Sequence, residues 1–239
     1  MLGALGAVVL LAFTVETALG FGSTVVAIAL GSHFAPIDVI LPAFVPLNVA
    51  LSLYLAARHH ADIDRRLLLA RIVPLMGLGL PVGILLFRHL GTGRLQLTFG
   101  VFVMLLSVLE LRRMGRAESR APGPIVSSVL LFVAGIIHGV FATGGPLAVY
   151  VTGRALADKA RFRATLSALW LLLNLALVFS YALSGQIGRG SLSTSAALSI
   201  PLFLGLLLGE RVHRAVPEKL FRTLVFALLL VAGGLLCLR

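Results

Sequence analysis

The chain has 239 residues, 59% of them hydrophobic and 12% charged, with a mean hydropathy of +1.06. A soluble domain carries about 45–50% apolar and about 25% charged residues, so lipid is the main solvent of this chain and a cytosolic enzyme is excluded. The 20 Lys and Arg outweigh the 9 Asp and Glu to give a net charge of +11. They cluster in short gaps between apolar runs, where the positive-inside effect places them, and so do not argue for a nucleic-acid partner.

The first apolar run covers residues 2–31. No basic stretch precedes it and it continues past signal-peptide length, so it reads as embedded sequence. About 30 residues are too many for one straight span and too few for two. Gly20 and Gly22, two-thirds of the way along, predict either a tilted helix broken near its middle or a hairpin of two short helices. Single spans follow at 37–57, 67–87 and 95–111. The hydrophilic stretch Arg112 to Gly123 then divides the chain into a repeat at 1–111, a linker at 112–123 and a second repeat at 124–239. The second repeat opens with another long run, 124–152, broken at Gly144-Gly145-Pro146, and ends with spans at 164–183, 192–209 and 219–238. Pro42, Pro46, Pro74, Pro81 and Pro201 predict kinks in their helices. Cys237 stands alone, which excludes a disulfide framework and a CxxC site.

A shift of 122 places Gly22 on Gly144, Ser23 on Gly145, Thr24 on Pro146 and Gly83 on Gly205. With four inserted residues, the segment 47–51 (LNVAL) falls on 173–177 (LNLAL). The ordered landmarks predict an internal duplication. Counting Lys and Arg tests its orientation. If each broken run crosses the membrane once, the two sides tie at ten each, against the positive-inside rule. If each broken run starts and ends on one side, the clusters at 58–71, 112–120, 154–163 and 211–222 share a face and the count is 16 against 4. The predicted fold is therefore all-α and polytopic. Its two inverted repeats each consist of a glycine-broken helix or hairpin and three transmembrane helices, with the basic loops and linker cytoplasmic and both chain ends outside.

Breaks inside apolar runs free backbone groups that lipid cannot satisfy, so they mark places where protein or a watery cavity takes over. A helix restarting after each break would present unpaired amides and about half a positive charge, enough to hold a carboxylate, sulfonate or sulfite. Pro146 suits such a start. Two such ends meeting from opposite directions would form a shared anion site. The expected substrate contacts are Gly20, Gly22, Ser23, Thr24, Thr143, Gly144, Gly145 and Pro146, with Asn48 and Asn174 orienting the anion from within their helices. Glu16 and His138 lie deep in the runs, each six residues before its break. An intramembrane acid and histidine are the expected proton-coupling groups; the competing readings are that each caps loose backbone at the break, or that Glu16 lies in an aqueous vestibule. Gly77, Gly79 and Gly83 are expected to serve close packing, as is Trp170.

The segment from His59 to Asp64 (HHADID) reads as a solvated loop, since its histidines lack the i, i+4 spacing of helical metal ligands. Arg161 and Arg163 are expected to anchor their helix at the headgroups. The sequence contains no HExxH, GxSxG, Walker A or GxGxxG pattern, so no metal, cofactor or catalytic residue is predicted.

The glycine-broken segments GFGST and FATGGP, the helices bearing LNVAL and LNLAL, and the basic loop running into RFRATLSALW together resemble the TauE/SafE sulfite exporter family of membrane permeases. The resemblance covers about residues 3 to 238. It implies secondary transport of small, mostly sulfur-containing anions such as sulfite or organosulfonates across the bacterial cytoplasmic membrane, coupled to protons. The family's glycine stretches fall on Gly20 to Thr24 and on Gly144 to Pro146, the first carrying Ser23 and Thr24 where glycine is usual. The expected activity is thus a multi-pass inner-membrane permease for a small anion, with the bilayer and the anion as partners; a homo-oligomer is compatible with the sequence. The competing classes are an anion channel and a membrane assembly or interaction protein whose breaks serve packing alone.

Overall fold

An apolar chain in lipid must close its backbone hydrogen bonds within itself, and here helices do so. The computed structural model describes residues 2–113, 122–156 and 158–238, so most of the expected linker lies outside the described residues. The helices in chain order are α1 (Leu2–Leu19), α2 (Ser23–Gly31), α3 (Ile37–Arg58), α4 (Arg65–His89, with a π turn at Leu68–Ile72) and α5 (Thr92–Arg113). They continue as α6 (Pro124–Phe141), α7 (Gly145–Ala155), α8 (Lys159–Leu183), α9 (Arg189–Ala215) and α10 (Glu218–Cys237). The six single spans correspond to α3, α4, α5, α8, α9 and α10. These helices and α6 are long and apolar enough to cross a membrane.

Both long apolar runs are broken and both double back. In the first, Gly20 and Gly22 take positive φ values of 85° and 105°, which L side chains rarely adopt. The contacts then run antiparallel. Glu16 meets Ser23 at the tip, and a methyl placed on Gly31, at the far end of α2, would stand 3.8 Å from Leu5 Cδ2 in α1. In the second run His138 meets Gly144 at the tip, while Leu131 and Ser127 share a pocket with Val151 and Ala155. Hairpins are thus the outcome of the two arrangements left open by run length. The arms α2 and α7 have nine and eleven residues. At 1.5 Å per residue they rise about 13 and 16 Å, roughly half of a 30 Å hydrocarbon core.

The helix starts repeat at the spacing that the glycines indicate. Helices α6, α7 and α8 each begin 122 residues after α1, α2 and α3; α9 begins 124 after α4, and α10 begins 126 after α5. Asn174 lies four residues deeper in α8 than Asn48 does in α3, about one helical turn, so the extra residues leave both asparagines on the same helical face.

Two compact units form, and each draws on both ends of the chain. The first contains α1, α2, α3 up to Phe44, α5, and α9 from Leu192 together with α10. Here α9 lies on α1: a Cβ on Gly205 would stand 2.7 Å from Leu10 O, and one on Gly209 would stand 2.7 Å from Thr14 O and 2.6 Å from Thr17 Cβ. Phe13 stacks on Phe44 with centroids 5.0 Å apart. The second unit contains α3 from Val45, α4, α6, α7 and α8. In it α4 lies on α6. A Cβ on Gly79 or Gly83 would run into the carbonyl oxygens of Phe132 or Ile136, and one on Gly135 or Gly139 into those of Met76 or Leu80. This is reciprocal small-xxx-small packing, which in lipid replaces the hydrophobic effect as the glue between helices. The fourth helix of each half therefore packs on the hairpin of the other half.

The packing role expected for Gly79 and Gly83 is present, whereas Gly77 departs from it, since nothing lies within 4 Å of a Cβ placed there. Glycines two residues apart on a helix face about 200° apart, and only one of the two directions meets a neighbour. The outer surface is apolar, with Leu78, Ile125, Phe179 and Leu183 among the exposed side chains, as lipid requires.

Candidate functional site

Each hairpin tip is built by a polar side chain from its first arm that caps the second. At the first tip, the Glu16 carboxylate accepts from the Ser23 backbone N–H at 3.1 Å and from the Ser23 hydroxyl. Ser23 opens α2, so this acid meets the helix N-terminus, where backbone N–H groups need acceptors. Glu16, Ser23 and Thr24 are all buried. At the other side of the turn, α1 ends in carbonyls that need donors, and His213 of α9 bonds Ala18 O through Nδ1 at 2.9 Å. The expected contacts Gly22, Ser23 and Thr24 do gather at this tip. The donors of Ser23, however, are taken by the protein's own carboxylate.

The second tip has the same plan with different chemistry. Ala142 ends α6 in the left-handed region at φ 51°, and its N–H bonds His138 O at 2.7 Å. Gly144 must lack a side chain, because a Cβ there would collide with Ala134 O and stand 2.9 Å from Met76 Cε. The His138 ring then accepts from the Gly144 N–H through Nδ1 at 3.2 Å. An Nδ1 that accepts an amide proton places the ring's own proton on Nε2. That Nε2 is buried and makes no hydrogen bond. Asn174 of α8 faces the same ring as a side-chain partner, yet its Oδ1 likewise lacks a bond of normal geometry. Thr143, Gly145 and Pro146 are buried beside it, with Pro146 in the first turn of α7.

Glu16 and His138 each hydrogen-bond the start of the second arm of their hairpin, the geometry of a cap at the break. Asn174 is brought to the second tip, and Asn48 is buried within α3. Trp170 does more than fill space: it stacks on His138 with centroids 5.7 Å and planes 10° apart, fixing the ring's orientation. A signal for it was present, because Trp170 and Asn174 are four residues apart on one helix and so share a face. His213 gave no comparable signal, since its partner is a main-chain oxygen 195 residues away. Arg161 bonds Asp64 at 3.2 Å, an exposed ion pair that holds the basic loop against α8. No group of three or more potential metal ligands occurs among the described residues.

Apolar helices of crossing length, two doubled-back hairpins and polar caps buried at the hairpin tips are those of a polytopic helical membrane protein. The chain belongs to the sulfite exporter TauE/SafE family, whose model matches residues 5–236. It is similar to the probable inner membrane transporter protein TsaS of Comamonas testosteroni, with 28% identity over 168 residues that cover 69% of this chain and 68% of that protein. No solved structure matches the chain.

Proposed function

We propose that this family member is a proton-coupled secondary transporter of a small oxyanion, sulfite or an organosulfonate, and that the second hairpin tip holds the anion. The supporting observation is a buried donor, His138 Nε2–H, that lacks a hydrogen bond of normal geometry beside the N-terminus of α7, with Asn174 facing the same ring. Leaving a buried donor without a partner costs about 1–3 kcal/mol, which an arriving anion recovers. The amides of the first turn of α7 add a fixed positive pole without a buried cation. Asn174, whose oxygen and nitrogen are interchangeable by a flip of the amide, can turn its NH₂ toward the anion.

Substitution separates the two jobs of His138. His138→Asn keeps an acceptor in the position of Nδ1, so the Gly144 cap survives while the distal donor is lost. His138→Gln does the reverse. The Asn variant is expected to fold with near wild-type stability and to lose about tenfold in anion affinity, the worth of one hydrogen bond to a charge. The Gln variant is expected to retain more of the affinity and less of the stability. Sulfonate uptake into proteoliposomes, read beside thermal unfolding, measures both. Equal affinity in His138→Asn and the wild type would remove the anion from this tip. Saturation of uptake and its dependence on a proton gradient separate this carrier from a channel, and absence of flux favours an assembly factor.

The hairpins also support an orientation. A hairpin that returns to its starting end contributes no net crossing, which leaves three spans per half and inverts one half relative to the other. The basic clusters then share the cytoplasmic face. Reporter fusions at residues 60 and 117 and in the loop near residue 158 are expected to give the same cytoplasmic signal. Opposite signals from 117 and 158 would refute the inversion.

A further inference from the structure

The open end of the second hairpin holds a pocket that the transport reading does not use. We infer that it is a binding site for a tetrahedral phosphate-type oxyanion, of the kind carried by an anionic lipid headgroup or by free phosphate. The pocket encloses about 200 Å³ and is lined by Arg71 of α4, Ser127 of α6 and Thr152 and Arg154 of α7, with Leu131 and Val151 among its apolar walls. At about 30 Å³ per water, this is room for an oxyanion with part of its hydration. Its α7 residues, Val151 to Ala155, lie six to ten residues along the helix from Gly145, about 9–15 Å at helical rise, so it is distinct from the site proposed above.

Three features favour an anion. No acidic side chain lines the pocket among the described residues, whereas two guanidinium groups do. Arg71 donates to the neutral Pro124 O at 3.3 Å, and Arg154 donates to Tyr150 O at 3.2 Å while lying 3.9 Å over the Tyr150 ring. The Arg71 guanidinium, fixed in this way, keeps further N–H groups for a planar or tetrahedral oxyanion. Finally, the Thr152 hydroxyl is buried at 1% exposure and has no hydrogen-bond partner, so the wall carries an unused donor. A basic pocket between helices, with one apolar wall, suits the boundary where headgroup phosphates meet acyl chains.

Thermal unfolding of the purified full chain in neutral detergent tests the site. The additions are phosphatidylglycerol, phosphatidylcholine and inorganic phosphate, each titrated separately. The expected result is a rise in the unfolding midpoint with phosphatidylglycerol and none with phosphatidylcholine, because a ligand bound only by the folded chain stabilises it. The apparent affinity should fall about tenfold in Arg71→Gln and again in Arg154→Gln. A rise with inorganic phosphate, lost in the same variants, assigns the site to free anion and equally supports it. No rise with either phosphate source, or a rise undiminished in the arginine variants, overturns it. If those variants do not fold, Thr152→Val decides, since it keeps the side-chain shape; an undiminished rise there also overturns the site. His138→Asn should leave the phosphatidylglycerol effect intact, which keeps a failure here separate from a failure of the transport reading.

Discussion

Gly83→Leu is expected to abolish recovery of folded, monodisperse protein, whereas Gly77→Leu on the same helix leaves yield and unfolding midpoint at the wild-type level. A Cβ at position 83 would collide with Ile136 O and stand 2.7 Å from the Gly139 Cα, while at position 77 it meets nothing within 4 Å. Overpacking in a core that can adjust its side chains typically costs about 1–3 kcal/mol. Here the neighbour is main chain, so relief requires α4 and α6 to separate along the whole stretch from Met76 to Gly83. The loss is therefore expected at or above the upper end of that range, a large share of a stability of about 5–15 kcal/mol. Gly205→Leu should behave alike in the other unit, where the neighbours are Leu10 O and Phe13 Cβ. Recovery of a stable Gly83→Leu protein would show that these helices are not held by backbone contact.

Glu16→Gln is expected to flatten the pH dependence of anion transport. On the proposed transport reading the anion also passes the first tip, where Ser23 donates to Glu16 at the head of α2; an ionised Glu16 competes there with the anion for the positive pole of α2, which is separate from the α7 pole at the second tip. A protonated Glu16 carries no charge and competes weakly. Anion binding and proton uptake are then linked with the same sign, and apparent affinity rises as pH falls, by up to about tenfold per unit for one proton. The glutamine lacks this step, and its affinity should remain constant across the same range. A sulfonate is the right probe because its own charge does not change with pH, so any slope belongs to the protein. His213, which holds the neighbouring Ala18 carbonyl, is the other titratable group at this tip, and His213→Gln is the control. An unchanged slope in Glu16→Gln with a lost slope in His213→Gln would transfer the coupling role to the histidine.

Much of the site's position was legible in the sequence. The cluster at 20–22 marks the first break to the residue and that at 144–146 falls within two residues of the second, 142–144, because glycine in an apolar run signals a backbone conformation or approach that other residues resist. Glu16 and His138 were recognisable because ionisable groups are costly in lipid. Their partners were not. Glu16 reaches Ser23 and His138 reaches Gly144 only because the chain doubles back, and run length alone left a kinked span equally open. The same limit applies to Trp170, whose stacking on His138 joins α8 to α6, and to the pocket of Arg71 and Arg154, assembled from residues 83 positions apart.

Composition and periodicity determined by themselves that the chain is helical, embedded and twice interrupted, since the need to satisfy backbone groups in lipid acts locally on each run of residues. Only the tertiary structure decided which helices pair. The fourth helix of each half lies on the opposite half's hairpin, Gly79 and Gly83 are contacts while Gly77 is open, and one tip is capped by Glu16 while the other is capped by His138. These outcomes depend on which atoms of distant segments approach within a few ångströms, a quantity that no single segment encodes.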